Sequence, residues 1–198
     1  IMIRTASLIA AFLFFTAQGA RAGDTTLAAN AVLNNFLLVS AFFLDGLANA
    51  AGQLCGQAFG ARDRNGFSGA VRLVVIWGFG FALAVAACFL LFGPALIDTM
   101  TASAEVRRIA RDYLPFVIFA PLLGVFAFVY DGVYIGATWA RDMRNLMLAS
   151  LLMFLAAWLA LRSFGNAGLW GALLVHYAAR GGLQALWYPA LLRKSFVS

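Results

Sequence analysis

The chain has 198 residues, 64% of them hydrophobic and 11% charged, with a mean hydropathy of +0.89. That balance excludes an ordinary water-soluble domain and predicts an all-α integral membrane protein. The formal charge of +6 sits in short basic clusters between apolar runs, with no basic patch interleaved with aromatics, so it reads as a topology signal and not as a nucleic-acid footprint.

Met2 to Ala22 is the first predicted span, about 20 residues and long enough to cross ~30 Å of hydrocarbon. With Arg4 before an apolar core and Ala20, Arg21 and Ala22 before Gly23, it also has the outline of a secretory signal; Gln18 and the further spans downstream favour a retained helix. The chain opens on Ile1, which reads as the tail of something longer. After Gly23, Asp24 and Thr25, residues 27–60 form a second, long span that is tilted or projecting. Asp45, Asn49, Gln53 and Gln57 recur every fourth residue on it, and Asn34 returns to nearly the same angle three turns earlier. This polar stripe either lines a cavity or makes hydrogen bonds to other helices. Gly52, Gly56 and Gly60 have the small-residue spacing that lets helices approach closely in lipid. Cys55 here and Cys88 on the next span fall near opposite membrane faces, so a disulfide is not expected.

A short loop, Arg62 to Gly66, leads to a third span at 67–92, predicted to end at Gly93 and Pro94. Apart from Arg72 it carries no charge and reads as a lipid-facing or packing helix. Asp98 to Ser103 reads as a loop, with Ser103 as an N-cap and Glu105 to Asp112 as charged turns before the fourth span at 113–139. Pro115 and Pro121 are predicted to kink that span and free carbonyls beside a cavity.

Asp131 lies ten residues before Arg141, ~15 Å along a helix, which is about half the hydrocarbon thickness. A carboxylate there is either a functional group or a partner for a neighbouring polar residue that holds helices in register. Tyr130 and Tyr134 offer hydroxyls to a carboxyl or a flat ligand, or serve as core or interfacial aromatics. A loop from Arg141 to Arg144 leads to a fifth span at 146–161, a turn at 162–167, and a sixth span at 168–192. His176, Arg180 and Gln184 share one face of the sixth span, which must look inward to protein or water. Trp170 and Trp187 near its ends suit the interfacial aromatic belts. No Cys and His cluster has metal-ligand spacing, and His176 has no acidic residue near it in sequence, so neither a metal nor a cofactor is expected.

Six spans put both termini on one side. That side holds Arg4, Arg62, Arg64, Arg72, Arg141, Arg144, Arg193 and Lys194, against Arg21, Arg107, Arg108, Arg111 and Arg162 on the other. The excess makes the first side cytoplasmic.

FLDGLANAAGQLCGQAFGARDR at 43–64, YDGVYIGATWARDMRN at 130–145 and QGARAGDTTLAANAVL at 18–33 resemble the multidrug and toxic compound extrusion (MATE) family in its DinF-like branch. The resemblance covers essentially the whole chain, but only the second six-helix lobe of a twelve-helix family. It implies a partner N-terminal lobe related by a pseudo-two-fold axis along the membrane normal, a central cavity, and exchange of organic cations or other amphipathic compounds for protons or sodium ions. It also implies a bacterial inner-membrane location. Asp131 matches the acidic position of the family's tenth helix, implicated in cation or proton binding. The seventh-helix carboxylate of sodium-coupled relatives would fall at about 16–18, where Thr16 and Gln18 stand near no acid, so proton coupling is the expectation. Gln18, Asn34, Asp45, Asn49, Gln53, Gln57, Tyr130, Tyr134, His176 and Arg180 are the candidate cavity residues.

Other functions stand beside this one. A truncated, non-transporting half needs a partner lobe or a homodimer partner to cover its polar stripe, because a charge exposed to lipid costs ~2.5–3.5 kcal/mol. A flippase for a lipid-linked precursor shares the architecture but would be expected to have a more cationic cavity. An intramembrane enzyme built on His176 and Arg180 lacks a nucleophile or second acid at suitable spacing.

Overall fold

The computed structural model describes residues 2–196, with side chains from Thr5 onward. Ile1 and the Arg4 side chain, which the topology reading uses, lie outside the described residues. Those residues form α1 (Met2–Arg21), α2 (Asp24–Gly60), α3 (Arg64–Met100), α4 (Ala104–Gly136), α5 (Ala140–Leu161), a single 3-10 turn (Arg162–Phe164) and α6 (Gly165–Ser195). Among the described residues, four stretches are long and apolar enough to cross a membrane: Asp24–Gly60, Arg64–Met100, Ala104–Gly136 and Ala140–Ser195, the last running through α5, the turn and α6.

The helix ends follow local chemistry. The Asp63 carboxylate accepts from the Gly66 amide at 2.9 Å and starts α3, and the Ser103 hydroxyl accepts from the Val106 amide and starts α4, each satisfying a donor the helix leaves open. Arg62 and Thr138 close α2 and α4 at positive φ, 55° and 58°.

The expected boundaries move in several places. Gly93 and Pro94 do not end the third helix, which continues to Met100. A Cβ at Gly93 would meet Leu114 of α4 at 2.8 Å, so packing against α4 holds the segment through the proline, as neighbouring helices commonly do in membranes. The expected 98–103 loop shrinks to Thr101–Ser103. The charged turns before 113 belong to α4, which runs unbroken past Pro115 and Pro121 and stops at Gly136, not Trp139. Arg141 to Arg144 form the first turns of α5 and not a loop.

The central helix is α4, packed on α2, α3 and α6, while α6 also packs on α5. One apolar cluster includes Phe15, Leu33, Phe36, Ile97, Leu114, Trp170 and Tyr177. A second includes Leu44, Cys55, Phe67, Val74, Tyr134, Trp139 and Leu191. Along α6 the polar residues Arg180 and Gln184 fall between Tyr177 of the first and Leu191 of the second. The outer face of α3 exposes Leu73, Ile76, Trp77, Leu90, Leu91 and Phe92, the surface expected to meet lipid.

Trp170 does not reach an interfacial belt. It is fully buried, and its indole N–H donates to Asn30 Oδ1 at 2.9 Å, while Asn30 and Asn166 exchange two amide hydrogen bonds of 2.8 and 3.0 Å. This network ties α2 to the start of α6. Replacing Asn30 by Leu orphans a buried indole donor and both polar atoms of the Asn166 amide. The expected cost is about 2 kcal/mol, read as a lower melting temperature in detergent.

Candidate functional site

The site begins with the close approach of three helices. A Cβ at Gly132 would stand 2.0 Å from the Ala48 carbonyl oxygen, and one at Gly136 would stand 2.5 Å from that of Gly52. Glycine alone lets α4 lie this close to α2. On the other side of α4, a Cβ at Gly181 of α6 would stand 2.7 Å from the Ala127 backbone nitrogen. The side chains just beyond these contacts, Asp131 on α4 and Arg180 and Gln184 on α6, therefore meet directly.

Asp131 is 0% exposed and Arg180 is 2% exposed. The guanidinium Nη2 of Arg180 donates to Asp131 Oδ2, forming a buried ion pair, and Gln184 Nε2 donates to Oδ1 at 2.7 Å. Both carboxylate oxygens are engaged. The guanidinium also lies over the Phe128 ring, 5.2 Å from its centroid, so an aromatic face adds to its stabilisation. His176, one turn before Arg180, places Nδ1 3.3 Å from the Ser150 carbonyl oxygen of α5.

Two cavities flank this cluster. One of about 480 Å³ is lined by Asn34, Asp45, Phe128, His176, Tyr177 and Arg180, with Leu8, Phe12 and Leu38 among its apolar walls. The other, of about 460 Å³, is lined by Asp45, Asn49, Gln53, Asp131 and Ile135 together with Gly52 and Gly132. Asp45 lines both. The structure thus brings together Asp131, Arg180, His176, Asn34, Asp45, Asn49 and Gln53 from three helices.

It leaves the other candidates apart. Gln57 lines neither cavity. Gln18 lines a separate cleft of about 230 Å³ with Arg21, Trp158 and Arg162. Tyr134 offers its hydroxyl not to a carboxyl but to the Gln184 backbone carbonyl, at 2.9 Å, and Tyr130 packs on Tyr188, with ring centroids 5.8 Å apart. Phe128 and Ser150 were missed by sequence reasoning: an apolar ring and a mid-helix serine carry no signal until the fold sets them beside Arg180 and His176.

The MatE family profile matches residues 1–159. The chain belongs to the MATE family. DNA damage-inducible protein F of Escherichia coli (strain K12) is 37% identical over 188 residues, which cover 94% of this chain and 41% of that protein. The chloroplastic protein DETOXIFICATION 44 of Arabidopsis thaliana is 27% identical over 182 residues, covering 89% and 34%. This MATE chain therefore spans about two fifths of the length of the first of these relatives and a third of the second.

Among solved structures, an outward-facing multidrug resistance MATE family transporter of the MOP superfamily superposes with a TM-score of 0.88 at 18% identity, over 97% of this chain and 44% of that one. An inward-facing MATE transporter of the same superfamily gives 0.84 at 18% identity, over 98% and 46%. Sequence and fold agree on a MATE-type multi-pass membrane protein.

Proposed function

We propose that this chain is one six-crossing lobe of a bacterial inner-membrane exporter. In this reading it moves organic cations or other amphipathic compounds by alternating access, in exchange for protons and not sodium ions, with both ends of the segment on the cytoplasmic side. The observation that carries the reading is the fully buried Asp131, held by Arg180 and Gln184 at the wall of a cavity. With both oxygens engaged, a proton reaching Asp131 displaces Arg180, and the loss of that pair loosens α6 from α4. A charge change is thereby linked to helix movement.

Two further observations support parts of this reading. Thr16 and Gln18 put no carboxylate near 16–18, and Gln18 opens onto a different cleft, so the acid pair of sodium-coupled relatives is not assembled here. Asp45, Asn49, Gln53 and Gln57 are exposed on the lobe surface, and a membrane protein covers such a stripe with protein or water. That requirement favours a partner lobe, or a second copy of the chain, facing α2.

The test is proton-driven export by the intact protein in proteoliposomes. Asp131→Asn, which keeps a side-chain oxygen for Gln184, is expected to reduce proton-linked export more than tenfold while the protein still elutes and melts as a folded species. Unchanged export in that folded variant sinks the coupling role.

A further inference from the structure

The cleft at the end of the bundle where α1 and α5 finish and α6 begins takes no part in the site around Asp131. Its walls come from three helices and a turn: Gln18 and Arg21 on α1, Trp158 near the end of α5 with Arg162 on the turn that follows, and Asn166 and Leu169 on α6. Two of these residues are fixed by their neighbours. Asn166 exchanges amide hydrogen bonds of 2.8 and 3.0 Å with Asn30, and Trp158 meets the Phe14 ring edge-to-face at 5.0 Å.

The charge of the cleft is unbalanced. Arg21 and Arg162 are exposed, and no acid lines the cleft with them. The arginines of α4 at the same end of the bundle are each paired: Arg107 and Arg111 share Asp98 at 3.8 and 2.6 Å, and Arg108 meets Asp112 at 3.7 Å. Among the described residues Arg21 and Arg162 have no such carboxylate, although Asp24 stands three positions from Arg21. A cation in the last turn of a helix complements the helix dipole, which accounts for Arg21 alone. It does not account for a second cation lining the same acid-free cleft, where like charges repel. An anion between them turns that repulsion into attraction.

Size and depth narrow the class. At about 230 Å³ the cleft is smaller than the ~300–1,000 Å³ of ordinary small-molecule sites, so it takes a head group and leaves the body of an amphipathic molecule outside. Arg21 closes α1 and Arg162 follows α5 directly, which sets the cleft where the apolar runs end, and Trp158 is a residue type that favours this boundary. Leu159 and Phe164, beside Trp158 and Arg162 in sequence, are 56% and 67% exposed and offer apolar surface to acyl chains. Guanidinium groups match phosphate oxygens in pairs, and basic pockets between membrane helices seat anionic lipid heads. A zwitterionic head group would bring an ammonium to two arginines with no acid to receive it.

We propose that this cleft binds the phosphodiester of an anionic, amine-free phospholipid between Arg21 and Arg162, with its acyl chains on the apolar surface of α5, and so clamps the end of α1 to the corner between α5 and α6. The site stands independently of the exporter reading.

The test is lipid occupancy of the intact protein in detergent, read by native mass spectrometry during titration with dioleoyl phosphatidylglycerol or dioleoyl phosphatidylethanolamine. The glycerol lipid is expected to bind about tenfold more tightly, the scale of two exposed charge pairs, and to raise the melting temperature as it saturates. Arg21→Gln with Arg162→Gln should weaken the glycerol lipid about tenfold, leave the ethanolamine lipid unchanged and abolish the lipid-dependent rise in melting temperature. Arg108→Gln, which removes an exposed arginine paired with Asp112, should leave both lipids unchanged. Equal affinities for the two lipids, a preference that survives the double substitution, or an equal loss in Arg108→Gln overturns the proposal. Displacement of the glycerol lipid by an equimolar amount of glycerol 3-phosphate overturns it as well, because the site would then read a free phosphate ester. The lipid ratio and the displacement need no variant, so they decide the matter even where the double substitution fails to fold.

Discussion

Arg180→Met is expected to destabilise the protein by about 3–5 kcal/mol, the range for removing one partner of a buried ion pair. The variant leaves Asp131 fully buried without the Arg180 guanidinium, while Gln184 still donates to Oδ1. The loss comes mainly from the stranded charge and not from the missing contact, so a second substitution provides the decisive comparison. Asp131→Asn in the Arg180→Met background removes the charge and is expected to recover most of the melting temperature, measured by size-exclusion chromatography after heating in detergent. Equal melting of the single variant and the unaltered protein would mean that the pair is not held away from solvent.

Gly132→Ala is the second large effect. Its methyl group would sit 2.0 Å from the Ala48 carbonyl oxygen, a backbone atom that moves only if α2 moves. Forcing the two helices apart is expected to cost about 3 kcal/mol, the upper part of the range for overpacking. It also disturbs the adjacent cavity between Asp45 and Asp131. The control is Gly46→Ala, on the same α2, where an added Cβ meets nothing within 4 Å. There the change is expected to be neutral or stabilising by about 0.5–1 kcal/mol, because alanine loses less backbone freedom in a helix. Paired melting curves separate the two: equal shifts for both variants would contradict a close α2–α4 contact.

These contacts also show how far the sequence could be read. The inward face of His176, Arg180 and Gln184 was legible because polar groups at every fourth position of an apolar helix have few places to point. Asp131 was legible as a lone carboxylate deep inside an apolar run. Their mutual pairing was not, since Asp131 and Arg180 lie 49 positions apart and no local pattern relates two helices. The glycines at 52 and 56 signalled close packing, but that they face Gly132 and Gly136 emerged only from the fold. Pro94 misled because a proline that ends a helix in water is held inside one by Leu114 in the packed bundle. Asn166 was hidden in a stretch read as a turn, where asparagine is ordinary, although it joins Asn30 and Trp170 in a buried network.

The ion pair between α4 and α6 also has a history in time. Ribosomes deliver Asp131 49 positions before Arg180, an interval of roughly 2–10 s at ordinary elongation rates. During that interval α4 has emerged without the Arg180 guanidinium, and a charged aspartate at the centre of a membrane helix is unfavourable by ~2.5–3.5 kcal/mol. Biogenesis therefore depends on holding α4 beside the insertion machinery, or against α2 through their glycine contact, until α6 arrives.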